Sequence, residues 1–149
     1  MKITICGSIA FFDEMLEVKE KLEQLGHEVD LPPTEIIDEN GRMISVKEYY
    51  RLRKEEHNSN DSWIWTRKKE AILNHFRKIK WADVVLVLNY EKNNIAGYIG
   101  GNTLIEMGLA LWLKKKIFLL NEIPEIVYKE EILGMQPIVL NGDLRNLDI

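Results

Sequence analysis

Five consecutive apolar residues, Val84-Val85-Leu86-Val87-Leu88, constrain this chain more than any other feature. Successive side chains of a strand point to opposite faces, so an unbroken run of this kind needs apolar cover on both. That is the place of a central strand in a parallel sheet with helices above and below it. The chain supplies matching parts on either side. Lys2–Cys6 reads as a short buried strand, broken by Gly7-Ser8. Phe11, Met15, Val18, Leu22 and Leu25 then recur at helical spacing, and Gly26 stands where a C-cap is wanted. His27–Leu31 is a second strand, stopped by Pro32-Pro33. Strand, helix and strand in about 30 residues open a parallel βαβ unit.

Beyond the central run, residues 89–101 form a loop with three glycines. Thr103–Leu113 reads as a helix, Lys116–Leu120 as a strand, Glu125–Leu133 as a short helix and Ile138–Leu140 as a last strand. The expectation is an α/β fold: a doubly wound, mainly parallel five-stranded sheet, Rossmann- or flavodoxin-like, with helices on both faces. Residues 1–149 read as one domain. A helical insertion is expected at about 34–62, comprising a charged helix between Val46 and His57 and a polar turn at Asn58–Asp61. Asp61 or Ser62 then caps a longer helix whose buried stripe is Trp65, Ile72, Phe76 and Ile79.

Charge and composition exclude several classes. A net charge of −4 argues against a general nucleic-acid binder, though not against one small phosphorylated ligand. Cys6 is the only cysteine, so no intrachain disulfide can form and a reducing compartment is expected. No apolar run approaches the roughly 20 residues of a membrane span, and no apolar leader opens the chain. The expected location is cytoplasmic, without membrane partners. Three histidines and one cysteine show no metal-ligand spacing along the chain, so neither metal nor cofactor is expected.

In an open parallel sheet the ligand crevice lies beyond the C-terminal strand ends. Gly7–Ala10, Asn89–Thr103 and Asn121–Pro124 all lie at that edge. The glycines of Gly97-Tyr98-Ile99-Gly100-Gly101 let a ligand approach the backbone, and Asn102 or Thr103 opens a helix with free N–H groups. Glu106 follows one turn later inside the apolar run Leu104–Trp112, with Asn102, Thr103 and Ala110 at helical spacing. A carboxylate so flanked is a candidate nucleophile or general base; the plainer reading is a first-turn glutamate complementing the helix dipole. His75 reads first as a packing residue, and His27 and His57 as solvated. Trp63, Trp65, Tyr49 and Tyr50 form an aromatic cluster suited to stacking on a base or, preferably, to a contact between subunits. The faces Arg51–Glu56 and Arg67–Glu70 read as solvated helix surface.

Two motifs carry a family resemblance. Ile5-Cys6-Gly7-Ser8-Ile9 resembles the first strand and phosphate turn of the 2′-deoxynucleoside 5′-phosphate N-hydrolases. Gly101-Asn102-Thr103-Leu104-Ile105-Glu106-Met107-Gly108-Leu109-Ala110 resembles the catalytic helix of the wider nucleoside 2-deoxyribosyltransferase family. With the Ala82–Leu86 strand between them, the resemblance spans residue 1 to about 120. It implies cleavage or transfer at the N-glycosidic bond of a (deoxy)nucleoside or its 5′-monophosphate, with Glu106 as nucleophile. Gly7, Ser8, Ile9, Asn89, Gly100, Gly101, Asn102 and Thr103 are then the expected substrate contacts. The family has an Asp near the end of the helix before the central strand; here the chain reads Asn74-His75-Phe76, which makes His75 the candidate proton donor. Gly100-Gly101-Asn102-Thr103 also resembles the turn of the nucleotide phosphoribohydrolases, which act on the same bond. The resemblance implies no cofactor, a small-molecule nucleoside or nucleotide as partner, and a homodimer or higher homo-oligomer. The alternatives are a non-catalytic nucleotide-binding or sensor domain and an interaction module in which Glu106 is structural.

Overall fold

A computed structural model describes residues 1–55 and 63–147. The chain runs β1 (Lys2–Gly7), a 3₁₀ turn, α1 (Phe12–Gln24), β2 (Glu28–Asp30), β3 (Glu35–Ile37), β4 (Met43–Ser45), α2 (Val46–Glu55), α3 (Trp63–Trp81) and β5 (Val84–Leu88). It continues as α4 (Gly101–Trp112), β6 (Lys116–Leu119), α5 (Lys129–Gly134) and β7 (Ile138–Val139). Five strands form one parallel sheet in the order β2-β1-β5-β6-β7. The apolar run is its centre, as its composition demands: Ile5 pairs with Leu86, and Leu86 with Phe118.

The two faces of the strands build two cores. Ile3, Ile5, Leu86, Leu88 and Phe118 pack on Met15 and Leu22 of α1. Cys6, Val85, Val87 and Leu119 face the other way, onto Ile79 of α3, Met107 and Ala110 of α4 and Ile132 of α5. The sheet is therefore doubly wound. The chain leaves β1 toward one edge and β5 toward the other, so the topological switch lies between these neighbours.

The expected helical insertion holds more than helix. β3 and β4 form an antiparallel hairpin, with Ile36 opposite Ile44. Asp38 closes its turn, its Oδ1 accepting from the N–H groups of Asn40 and Arg42. Asn40-Gly41, with Gly41 at φ +78°, is the sequence signal for such a turn. The charged helix follows as expected, but the polar turn at Asn58–Asp61, the cap at Asp61 or Ser62, and His57 lie outside the described residues. The buried positions of α3 are Ile64, His75 and Ile79, whereas Trp65, Ile72 and Phe76 of the expected stripe are only partly covered. α3 serves two cores, so its buried line turns between them.

Much of the aromatic cluster packs within the chain. Tyr49 meets Trp63 edge-on at 6.2 Å between centroids and donates to the Ile64 carbonyl at 2.7 Å. With Ile36, Tyr49 and Ile64 at its centre, and Trp63 and Trp65 on its flank, this is a third, smaller core. Tyr50 points elsewhere, into the cavity described next.

Candidate active site

A cavity of about 250 Å³ opens where the switch point predicts. Its rim is Gly7-Ser8-Ile9 after β1 and Gly100–Thr103 at the start of α4; Glu106 and His75 face it, and Tyr49, Tyr50 and Arg53 come from α2. α4 starts at Gly100, whose N-cap position has no side-chain bond, so the first N–H groups of the helix are left to the pocket edge.

Glu106 lies on the inner face of α4 with Thr103, Met107 and Ala110. It is 3% exposed. Asn102, one turn earlier, donates its Nδ2 to Glu106 Oε1 at 2.8 Å, and Lys68 Nζ donates to Asn102 Oδ1 at 3.1 Å. The amide therefore couples a cation on α3 to the carboxylate on α4. Among the described residues, Glu106 Oε2 has no hydrogen-bond partner. Burial pushes the Glu106 pKa up to about 7, against the opposing pull of the Cys6 thiol, Lys68 and Asn102. Lys68 is itself lowered to about 8 by burial and by Arg53 nearby.

His75 is 2% exposed, with Nε2 3.3 Å from Cys6 Sγ and 3.9 Å from Glu106 Oε2. Burial, reinforced by Lys78, lowers its pKa to about 4, so the ring is neutral at pH 7. Burial also pushes the Cys6 thiol well above its ordinary value, and the Glu106 charge adds to that. The donor atoms of Cys6, His75 and Glu106 lie within 4.8 Å of one another. Residues so far apart in the sequence escape any local spacing rule, which is why the expectation of no metal-ligand pattern did not reach them.

At the opposite wall, Ser8 caps the 3₁₀ turn by accepting from Ala10 N–H, and its Oγ also accepts from Lys92 Nζ at 2.9 Å. Lys92 lies over the rings of Tyr50 and Tyr98, at 5.8 and 5.1 Å from their centroids. Arg53 lies over the Tyr50 ring at 4.7 Å. Burial alone would raise the Tyr50 pKa, but Lys92 and Lys54 together lower it. Among the described residues, three cations, Arg53, Lys68 and Lys92, thus line a pocket whose one acidic side chain is Glu106.

Of the expected substrate contacts, Gly7, Ser8, Ile9, Gly100, Gly101, Asn102 and Thr103 line the cavity. Asn89 does not. It is fully buried; its Nδ2 donates to the carbonyls of Asn121 and Glu122, and its Oδ1 accepts from the Asn121 N–H. Asn89 ties two strand-end loops together, and the Asn121–Pro124 segment stays outside the main cavity. The sequence reading missed Arg53 and Lys68, assigned to solvated faces, and also Lys92 and Tyr98. Lys68, Ile72 and His75 do share helical spacing, which was the available signal.

No protein-family model matches the chain, and no curated protein matches it either. Among solved structures, the chain is similar to a 2-deoxyribosyltransferase from the psychrotolerant bacterium Bacillus psychrosaccharolyticus. The identity is 20%, over 80% of this chain and 71% of the other, with a TM-score of 0.50. It also aligns with the CMP N-glycosidase BcmB of Clostridium botulinum at 19% identity, over 95% and 87% of the two chains, with a TM-score of 0.46. The parallel sheet, its switch-point crevice and the first of these likenesses together give this chain the nucleoside 2-deoxyribosyltransferase-like fold.

Proposed function

We propose that the protein is an enzyme that breaks the N-glycosidic bond of a nucleoside 5′-monophosphate, with Glu106 as the nucleophile. The observation that carries this reading is a buried carboxylate at the floor of a pocket whose other charged side chains, among the described residues, are cations. A neutral nucleoside gives Arg53, Lys68 and Lys92 no counter-charge, whereas a phosphate does. Ser8, the turn N–H groups and Lys92 form the seat that best suits its oxygens. Ionised Glu106 then attacks the anomeric carbon, the C–N bond breaks and the base leaves with the bonding electrons. Water, or a second base, resolves the glycosyl ester. Asn102 and Lys68 hold the carboxylate in line and favour its charged form. His75, next to Glu106 and neutral, is the candidate to exchange a proton with the departing base. A structural likeness supports this reading in kind: the solved structure with a TM-score of 0.50 is a 2-deoxyribosyltransferase.

A second reading, nucleotide binding without turnover, is favoured by the absence of an imidazolium at His75 to protonate the leaving base. Both are tested by incubating the protein with deoxynucleoside and ribonucleoside 5′-monophosphates and following free base by chromatography. Release by the wild type and its loss in Glu106→Ala is the expected result. Thermal stabilisation by nucleotides without base release supports the binding reading instead.

Trp112, 82% exposed, stands with Ile105 and Leu111 on the outer side of α4, and this apolar face supports a homodimer as the working form. No helix among the described residues is long and apolar enough to cross a membrane. A single, buried free thiol agrees with a cytoplasmic setting.

A further inference from the structure

Beneath the cavity, three elements bring together a thiol, an imidazole and a carboxylate: Cys6 from β1, His75 from α3 and Glu106 from α4. All three are buried. Such a mixed sulfur, nitrogen and oxygen set is the donor chemistry of a borderline-soft divalent ion, Zn²⁺ foremost. Tetrahedral zinc with ordinary bond lengths holds its ligand atoms about 3.3–3.6 Å apart. Here Nε2 and Sγ are 3.3 Å apart, Nε2 and Oε2 3.9 Å, and no pair exceeds 4.8 Å. A modest inward swing of the Glu106 carboxylate closes the set. A second observation points to a ligand at the same spot: among the described residues, Glu106 Oε2, almost fully buried, has no hydrogen-bond partner.

We propose that Cys6 Sγ, His75 Nε2 and Glu106 Oε2 form a three-ligand Zn²⁺ site whose fourth position opens to the cavity. His75 and Glu106 line the cavity and Cys6 lies behind them, so the ion enters from the pocket and keeps one face toward it. Binding releases the Cys6 thiol proton, together with any proton on Glu106, to solvent. The thiolate and carboxylate then cancel the two charges of the ion, so that Lys68, bonded to Asn102, faces a neutral centre. The site is separate from the glycosyl reading in kind but shares Glu106 with it. A carboxylate that ligates the ion cannot attack a sugar, so occupancy switches the proposed reaction off. The ion site stands whether or not that reaction exists.

The test uses Co²⁺ as a spectroscopic stand-in, added to the full-length protein at about pH 8 so that the thiol can ionise. Because the chain has one cysteine, any thiolate-to-cobalt charge-transfer band reports Cys6 alone. The expected result is a band that saturates at one equivalent, accompanied by tetrahedral d–d absorption and bleached by Zn²⁺. Glu106→Gln and His75→Gln should each weaken Co²⁺ binding more than about tenfold, a larger loss than an outer-shell partner usually causes. Circular dichroism of each variant confirms that it is folded. If folded wild-type protein in excess Co²⁺ gives no thiolate band, the proposal fails. It fails equally if the band is indifferent to both substitutions, which would leave Cys6 binding the ion by itself. Base release from nucleotides is measured separately, so loss of the glycosyl reading leaves this result unaffected.

Discussion

Folding moves a proton from His75 to Glu106, and the two halves of that transfer can be exposed one at a time. In the unfolded chain the carboxyl titrates near its ordinary value of 4.5 and the imidazole near 6.5; in the fold they stand at about 7 and about 4. Between pH 4.5 and 6.5 each state therefore holds one proton on this pair, on the imidazole when unfolded and on the carboxylate when folded. Stability changes with pH only where the two states bind different numbers of protons, so the pair leaves the wild type nearly flat across this window. Glu106→Gln leaves His75 alone. Its folded pKa is depressed, so the unfolded state binds the extra proton, and stability rises with pH from about 4 to 6.5. His75→Gln leaves Glu106 alone. Its folded pKa is raised, so the native state binds the extra proton, and stability falls as pH climbs from 4.5 to about 7. Each displacement, at 1.36 kcal/mol per unit, amounts to roughly 3 kcal/mol over the window. Urea unfolding of the wild type and both variants at several pH values, with a chelator present, reads the slopes directly. Variants whose stability parallels the wild type in pH, or slopes of the opposite sign, would refute the argument.

Four further outcomes follow from the structure. Lys68→Met removes the cation coupled through Asn102, so the Glu106 pKa should climb by about one unit, read by carboxyl carbon NMR titration or as a shift of the acid limb of kcat/KM to higher pH; Lys68→Arg should restore it. Lys92→Met deprives Ser8 of one of its two partners and the pocket of one charge, and should raise KM for a nucleoside monophosphate about tenfold or more while changing KM for the free nucleoside little, measured by base release. Gly97→Ala should cost about 2–4 kcal/mol in denaturant unfolding, because Gly97 has φ +69° and its added Cβ would sit 2.3 Å from the Glu122 carbonyl oxygen. Gly101→Ala, with nothing within 4 Å of its added Cβ and a helical setting, should leave stability unchanged or raise it by up to about 1 kcal/mol.

The sheet was legible because most of its strands are short apolar runs closed by Gly, Pro or polar residues, and the unbroken run Val84–Leu88 marks the centre. The hairpin was missed for the opposite reason. Glu35-Ile36-Ile37 and Met43-Ile44-Ser45 each place one residue, Ile36 or Ile44, toward a core, and three-residue strands carry too little periodicity to be heard above their charged surroundings. Asn40-Gly41 was the cue. At the site, the turns that line the cavity, Gly7-Ser8-Ile9 and Gly100–Thr103, were readable from turn chemistry alone. Arg53 and Lys68 were not, because a basic residue on a charged helix looks solvated until the facing element is known. Asn89 erred the other way: a polar residue at the end of a central strand reads as a ligand contact, but its amide is needed to hold the backbone of the next loop. Cys6, His75 and Glu106 meet only because β1, α3 and α4 converge beneath the crevice, which no linear pattern encodes.

The third core, around Ile36, Tyr49 and Ile64, separates the pocket into two heritable parts. The floor, with Glu106, Asn102 and His75, belongs to helices packed on the main sheet, where any shift disturbs a large interior. The roof, with Tyr49, Tyr50 and Arg53, rides on one contiguous stretch from β3 to α2, fastened to the first turns of α3 through Ile64, Trp63 and Trp65 and to α1 by the Lys47–Asp13 ion pair. Such a stretch can be rewritten or exchanged as a cassette without retuning the carboxylate below it. The shape of the pocket's roof and the placing of the carboxylate at its floor are therefore free to evolve at different rates.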